Sequence, residues 1–167
     1  IRLYDAQSYT QADQDGTYGA ASHYAEFSAD GRLVTVSDDG FLRLYETASA
    51  GPSPLKLISK KKAAGDRPRS ASFSPDGNVL AVGFIDHPRV ELVSAKDLAP
   101  VATLSTSRAE PDQHFISVAW SSDGKSVYAA GSYQERGKTG HKRGTTLIRR
   151  WTTGVERSFQ DYPVSEG

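Results

Sequence analysis

Alternation of apolar and polar residues begins at the first position, in Ile1-Arg2-Leu3-Tyr4-Asp5, and returns almost letter for letter at Leu42-Arg43-Leu44-Tyr45-Glu46. A period of two is the signature of a half-buried strand. Short apolar runs of this kind recur along the chain, bounded by Gly, Pro, Asp and Ser, and they predict strands over 22–27, 33–37, 41–45 and 55–59. The same grammar predicts strands over 70–73, 79–84, 89–93 and 101–104, then over 115–120, 126–131, 145–151 and 157–159. No stretch keeps a helical period over the roughly 11 residues that a helix needs. The chain therefore reads as all β.

One phrase occurs three times: Phe27-Ser28-Ala29-Asp30-Gly31, Phe73-Ser74-Pro75-Asp76-Gly77 and Trp120-Ser121-Ser122-Asp123-Gly124, at spacings of 46 and 47 residues. Each is an aromatic, a serine, a spacer and Asp-Gly, followed by an apolar run. That describes a strand entering a tight turn and leaving as a strand, because Asp tolerates the left-handed conformation and Gly adopts it freely. Repetition at this period predicts stacked or circularly arranged four-stranded units. The expected division is the end of a preceding unit over 1–20, units over 21–60, 61–107 and 108–161, and a tail over 162–167. In the third unit the connection between its second and third strands is expected to swell into a loop from Tyr133 to Gly144.

These residues resemble the WD-repeat β-propeller family, whose units carry an aromatic-Ser-Pro-Asp-Gly turn, a Ser-x-Asp before the third strand, and an aromatic-acidic pair closing that strand. Ser37-Asp38-Asp39 and Tyr45-Glu46 match the second and third elements, with Tyr in place of the family's Trp. Ser74-Pro75-Asp76-Gly77 is the fullest match to the first. The second unit closes its third strand with Val93-Ser94, and the third has Trp151 followed by Thr152 but Ser132-Tyr133-Gln134 in place of Ser-x-Asp. The resemblance implies about three four-stranded antiparallel blades plus the end of a preceding one, a fragment of a larger propeller. Repeats with the flavour of Leu80-Ala81-Val82-Gly83-Phe84 are similar to those of bacterial multidomain proteins in which a propeller joins a signalling or effector domain.

Composition adds a few limits. With 20 basic and 20 acidic residues the formal net charge is zero, so nothing draws the whole chain toward nucleic acid or an anionic membrane. No apolar run approaches the roughly 18 residues that span a bilayer. The absence of cysteine suits a reducing compartment, and cytoplasm is the expected location. The absence of methionine, together with a start in mid-pattern, leads us to expect an excerpt of a longer protein. Three blades are fewer than the four of the smallest closed propellers, so open strand edges are expected to pair with the parent chain or with a second copy.

Candidate chemistry is sparse. His23, His87, His114 and His141 share no ligand spacing, and no metal or cofactor is expected. Ser122-x-x-Lys125 has the form of an acylating pair, but its Asp-Gly belongs to a turn and not to a helix. Gly137-Lys138-Thr139 lacks the leading glycine of a phosphate loop, since Ser132 holds that place. The predicted 133–144 loop concentrates Arg136, Lys138, Lys142 and Arg143 against Glu135, a set able to hold a phosphate or an acidic patch. Arg150 breaks the apolar pattern where Leu3 and Leu44 stand in other copies, and an ion pair to a neighbouring strand is expected there. The resulting expectation is a non-enzymatic recognition or scaffold module for a protein partner or for other domains of its parent. Its contacts are drawn from Asp39, Arg69, His87 and the basic loop. The competing reading is the propeller portion of an enzyme or of a periplasmic ligand-binding or translocation protein.

Overall fold

The computed structural model describes residues 1–48, 51, 53–104, 106, 114–136, 142–153 and 158–164, with backbone alone over 132–136 and 142–145. Among them are fourteen strands and no helix. β1 (Arg2–Tyr4) and β2 (Gln11–Gln14) make a two-stranded sheet. β3 (Ser22–Phe27), β4 (Arg32–Ser37), β5 (Phe41–Thr47) and β6 (Leu55–Lys62) make the first four-stranded sheet. β7 (Pro68–Phe73), β8 (Val79–Phe84), β9 (Val90–Ser94) and β10 (Pro100–Thr103) make the second. β11 (Ser117–Trp120), β12 (Ser126–Arg136), β13 (Lys142–Thr152) and β14 (Phe159–Val164) make the third. Every four-stranded sheet is an antiparallel meander in chain order, and the first strands lie side by side, β3 against β7 and β7 against β11. These are consecutive blades of a β-propeller.

The alternation of side chains across a strand explains why the middle blade reads as continuously apolar. Leu80, Val82 and Phe84 of β8 face the first blade, in a core that also holds Val34, Val36, Leu42 and Leu44. Ala81 points the other way, into a core with Phe115, Val118, Val127 and Trp151 of the third blade. A sheet covered on both faces loses the hydrophobic-in, polar-out rhythm. A third, smaller core joins Leu33, Tyr45 and Leu55 to Ile1 and Leu3, which seats the β1–β2 sheet on the outer face of the first blade.

The three copies of the repeated phrase form the same turn. In each, the Asp carboxylate accepts from the Ser hydroxyl two residues back and from the backbone N–H two residues on, at Arg32, Asn78 and Lys125. Gly31, Gly77 and Gly124 supply the left-handed φ, at +86°, +70° and +69°. The serine hydroxyl also takes the N–H of the returning strand, from Arg32, Val79 and Ser126. The blades are then stapled to one another. Glu26 accepts from Phe73 N–H (3.0 Å), Arg32 Nη2 donates to the Gly77 carbonyl (2.7 Å), and Trp120 Nε1 donates to the Ser72 carbonyl (3.1 Å).

Two expectations are corrected. The third blade has no swollen loop from Tyr133 to Gly144, because β12 and β13 run on as a ladder from Tyr133↔Thr145 to Arg136↔Lys142. A ladder extends through backbone hydrogen bonds, so a polar stretch can continue it without the apolar alternation by which strands are recognised. The last strand is also displaced: β14 pairs with β13 from Phe159 to Val164, so 162–164 belong to the blade and not to a tail. Lys138 and His141 lie outside the described residues.

Candidate functional site

Two buried arginines organise the polar interior. Arg43 on β5 has a fully buried side chain, ion-paired to Asp39 of the β4–β5 turn at 2.5 Å, with Ser37 Oγ accepting from its Nη1 at 2.9 Å. Its guanidinium lies 3.9 Å from the Tyr18 ring centroid. Hydrogen bonding from Arg43 holds the Asp39 carboxyl well below the usual carboxylate range, against the opposing effect of burial. Tyr45, standing where the resembled family has Trp, donates to Asp15 (2.7 Å) and meets the Tyr18 hydroxyl at 2.9 Å. Burial, then the hydrogen bonds with Tyr18 and Asp15, push its phenol far above the ordinary value. Asp39 also accepts from the N–H groups of Phe41 and Gly19. Its carboxylate is thus occupied in holding Arg43.

The matching place in the third blade is Arg149, also fully buried, whose Nε and Nη2 donate to the two oxygens of Asp161 at 2.5 and 2.7 Å. In the second blade Glu91 occupies it, buried beside Arg89 at 3.2 Å, with burial pushing its carboxyl up. The ion pair expected at Arg150 therefore sits one residue earlier. Arg150 is half-buried, donates to Ser126 Oγ at 3.0 Å, and has no ion pair among the described residues. Side chains alternate across β13, so the slip of one position exchanges the buried and the open face.

A second cluster gathers around the first strands, joining His23 of β3 and Arg69 of β7 to Asp38 of the β4–β5 turn and Arg67 just before β7. β3 slips register between Ser22 and Tyr24, and β7 between Pro68 and Ser70, so that His23 and Arg69 are each the extra residue of a β-bulge. Both stand four residues before the aromatic of the repeated phrase. Bulges re-aim side chains, and these two bring their residues to one carboxylate. His23 Nε2 lies 2.6 Å from Asp38 Oδ2, while Arg67 and Arg69 both approach Asp38 Oδ1 at 3.6 Å. Hydrogen bonding to His23 is the main cause that lowers the Asp38 pKa. At 3.6 Å the arginine contacts are ionic only, beyond hydrogen-bond range. Asp38 Oδ1 and Arg69 Nη1 are both enclosed and have no hydrogen-bond partner. A cavity of about 460 Å³ opens beside them, lined by His23, Tyr24, Arg69 and Ser70, and by Ile116, Ser117 and Val118 of the third blade.

Of the residues singled out from sequence, Arg69 belongs to this cluster and Asp39 to the buried one. His87 lies apart on the β8–β9 connection, its side chain 57% exposed and its Nδ1 3.0 Å from Asp86. Arg136, Lys142 and Arg143 stand at the far end of the β12–β13 hairpin, where the register opposes Arg136 to Lys142 and Glu135 to Arg143. His23, Asp38 and Arg67 were the residues missed, although a signal for His23 was available: His23 and Arg69 share an offset within the repeat. Among the described residues no group of three or more His, Asp or Glu is placed to hold a metal ion.

Comparison with known proteins gives the fold class. The β-propeller domain of Cps50 (Swd1) from Myceliophteria thermophila superposes with a TM-score of 0.65 at 15% identity, over 78% of this chain and 41% of that one. A protein from Lactobacillus plantarum superposes with a TM-score of 0.57 at 13% identity, over 85% of this chain and 55% of that one. The chain thus spans about half or less of the solved structures it resembles. No family model matches the sequence, and no curated protein does.

Proposed function

We propose that these blades form a non-enzymatic recognition module, which holds a partner protein, or another domain of its own parent, against the rim built from the first strands. The observation that carries this reading is the cluster on the two bulges. Two guanidinium groups and an imidazole converge on a single carboxylate, which leaves cationic donors in excess on a rigid sheet. Ion-pairing chemistry of this kind recognises an acidic surface. Because His23 and Arg69 are held by β-strands and Arg67 directly precedes one, little ordering cost remains to be met when the partner arrives.

The test is charge reversal. Co-purification of the full-length protein with its partner should be abolished by the double variant R67E/R69E. The thermal midpoint is measured alongside, because two new carboxylates beside Asp38 are expected to lower it, and R67Q/R69Q, which adds no negative charge there, should lose the partner with a smaller loss of stability. Capture of the same partner by the reversed variant at undiminished affinity would overturn the reading, as would a turnover activity lost on substitution of these residues.

A further inference from the structure

We infer that the cavity lined by the first strands of all three blades is a carboxylate-binding notch, with Arg69 and Ser70 as its contacts; this rests on the recognition reading above and gives that surface its ligand chemistry. Ser70 is 4% exposed, lines the cavity, and its hydroxyl has no hydrogen-bond partner. A buried hydroxyl left unpaired is destabilising, and such groups in proteins are nearly always satisfied. Its position is fixed by close packing. A Cβ on Gly83 would lie 3.1 Å from Ser70 Oγ and 2.3 Å from the Phe115 carbonyl oxygen, so the hydroxyl is held in the seam between β7 and the start of the third blade. The β7 bulge brings its extra residue, Arg69, to the rim of the same cavity.

The ligand class follows from what the notch offers. Arg69 supplies only donors, and Ser70 can donate to the same group. A planar, singly charged acceptor such as a carboxylate satisfies both. Asp38 stands behind Arg69 at 3.6 Å and disfavours a doubly charged phosphate at the same place, while still aligning the guanidinium. Tyr24, Ile116 and Val118 are the apolar part of the wall, which His23 and Ser117 complete, and they suit the methylene stem of an acidic side chain. The carboxylate can come from an Asp or Glu of a peptide or from a free small acid.

The experiment is a set of titrations of the isotope-labelled protein followed by amide and guanidinium NMR shifts. The probes are a blocked hexapeptide with one central Glu, the same peptide with Gln, sodium acetate, and inorganic phosphate. The Glu peptide should move the signals of Arg69, Ser70, Ile116 and Ser117, and the Gln peptide should bind about tenfold or more weakly. R69Q should weaken binding by about tenfold to a hundredfold, and S70A by about two- to tenfold. S70A should leave the thermal midpoint unchanged or higher, because it removes an unpaired hydroxyl; a purely structural serine would lower it. Acetate competing at equal affinity assigns the notch to a free acid, and acetate failing where the peptide binds assigns it to an acidic side chain. Phosphate binding more tightly than every carboxylate, or no carboxylate moving these signals, would overturn the notch. In that last case a partner still lost on R67E/R69E would leave the recognition reading standing.

Discussion

Replacement of Asp39 by alanine separates the buried arginine from the only carboxylate it pairs with among the described residues. The Arg43 side chain has no exposed surface, so its charge cannot turn to water. Breaking a buried pair from one side costs about 3–5 kcal/mol, and most of that is the penalty on the charge left behind. The N–H groups of Phe41 and Gly19 lose an acceptor at the same time, which places D39A in the upper half of that range. The reverse change, R43M, leaves the carboxylate with Ser37 Oγ and both backbone donors, and keeps an apolar stem against Tyr18. It should cost about 1–2 kcal/mol. The double variant D39A/R43M should recover part of the D39A loss, with a coupling energy of about 1.5 kcal/mol or more. Urea unfolding at pH 7, followed by the fluorescence of Trp120 and Trp151, measures all of these, provided the slope with denaturant is constant. If D39A proved no more destabilising than R43M, or the coupling fell within about 0.5 kcal/mol of zero, the placement of Arg43 as a buried, pair-dependent cation would be wrong.

Three further outcomes are expected. G131A should lower stability by about 1–3 kcal/mol or more, because the new Cβ would lie 1.5 Å from the His114 carbonyl oxygen, whereas G16A meets nothing within 4 Å and should fall within about 0.5 kcal/mol of the parent; thermal melts distinguish them. W120F removes the indole donor to the Ser72 carbonyl across two blades and should cost about 1 kcal/mol in the same assay. Asp30, Asp39, Asp76 and Asp123 all have carboxyls held below the ordinary value, Asp39 chiefly by Arg43 and the other three chiefly by side-chain hydrogen bonds. Their stabilisation is complete above the unfolded value of about 3.9 and is lost as pH falls through the lower folded values. The contribution of these four should therefore be level from about pH 5 to 7 and fall below about pH 4, less steeply in the D39N variant, while the raised Glu91 carboxyl works the other way and favours the folded state as pH falls.

The repeat was the most legible feature of the sequence, because the Ser-x-Asp-Gly turn is local chemistry: Gly77 must supply a positive φ and Asp76 must cap the turn, whatever surrounds them. Strands buried on one or both faces were likewise marked by their apolar rhythm, and β4 and β8 fall within a residue of their expected bounds. The β12–β13 extension carried no such mark, since Gln134, Glu135 and Arg143 are polar and break the apolar alternation. Buried charge was misread by one residue. Arg150 looked anomalous against Leu44, yet the residue sharing Arg43's place in its strand is Arg149, which one compares only after seeing that a central arginine is itself part of the design. The rim cluster was half visible: Arg69 stood out alone, and its meeting with His23 and Asp38 depends on two bulges that single-strand periodicity does not show.

The central claim is that the three repeats are neighbouring blades joined through their first strands. A nuclear Overhauser spectrum of the protein tests it at one resolved proton, the indole N–H of Trp120. Cross-peaks from that proton to the backbone of Ser72 and Phe73 are predicted, since the indole nitrogen lies 3.1 Å from the Ser72 carbonyl oxygen. An indole proton whose contacts all fall within residues 117–136 would contradict the arrangement of the blades.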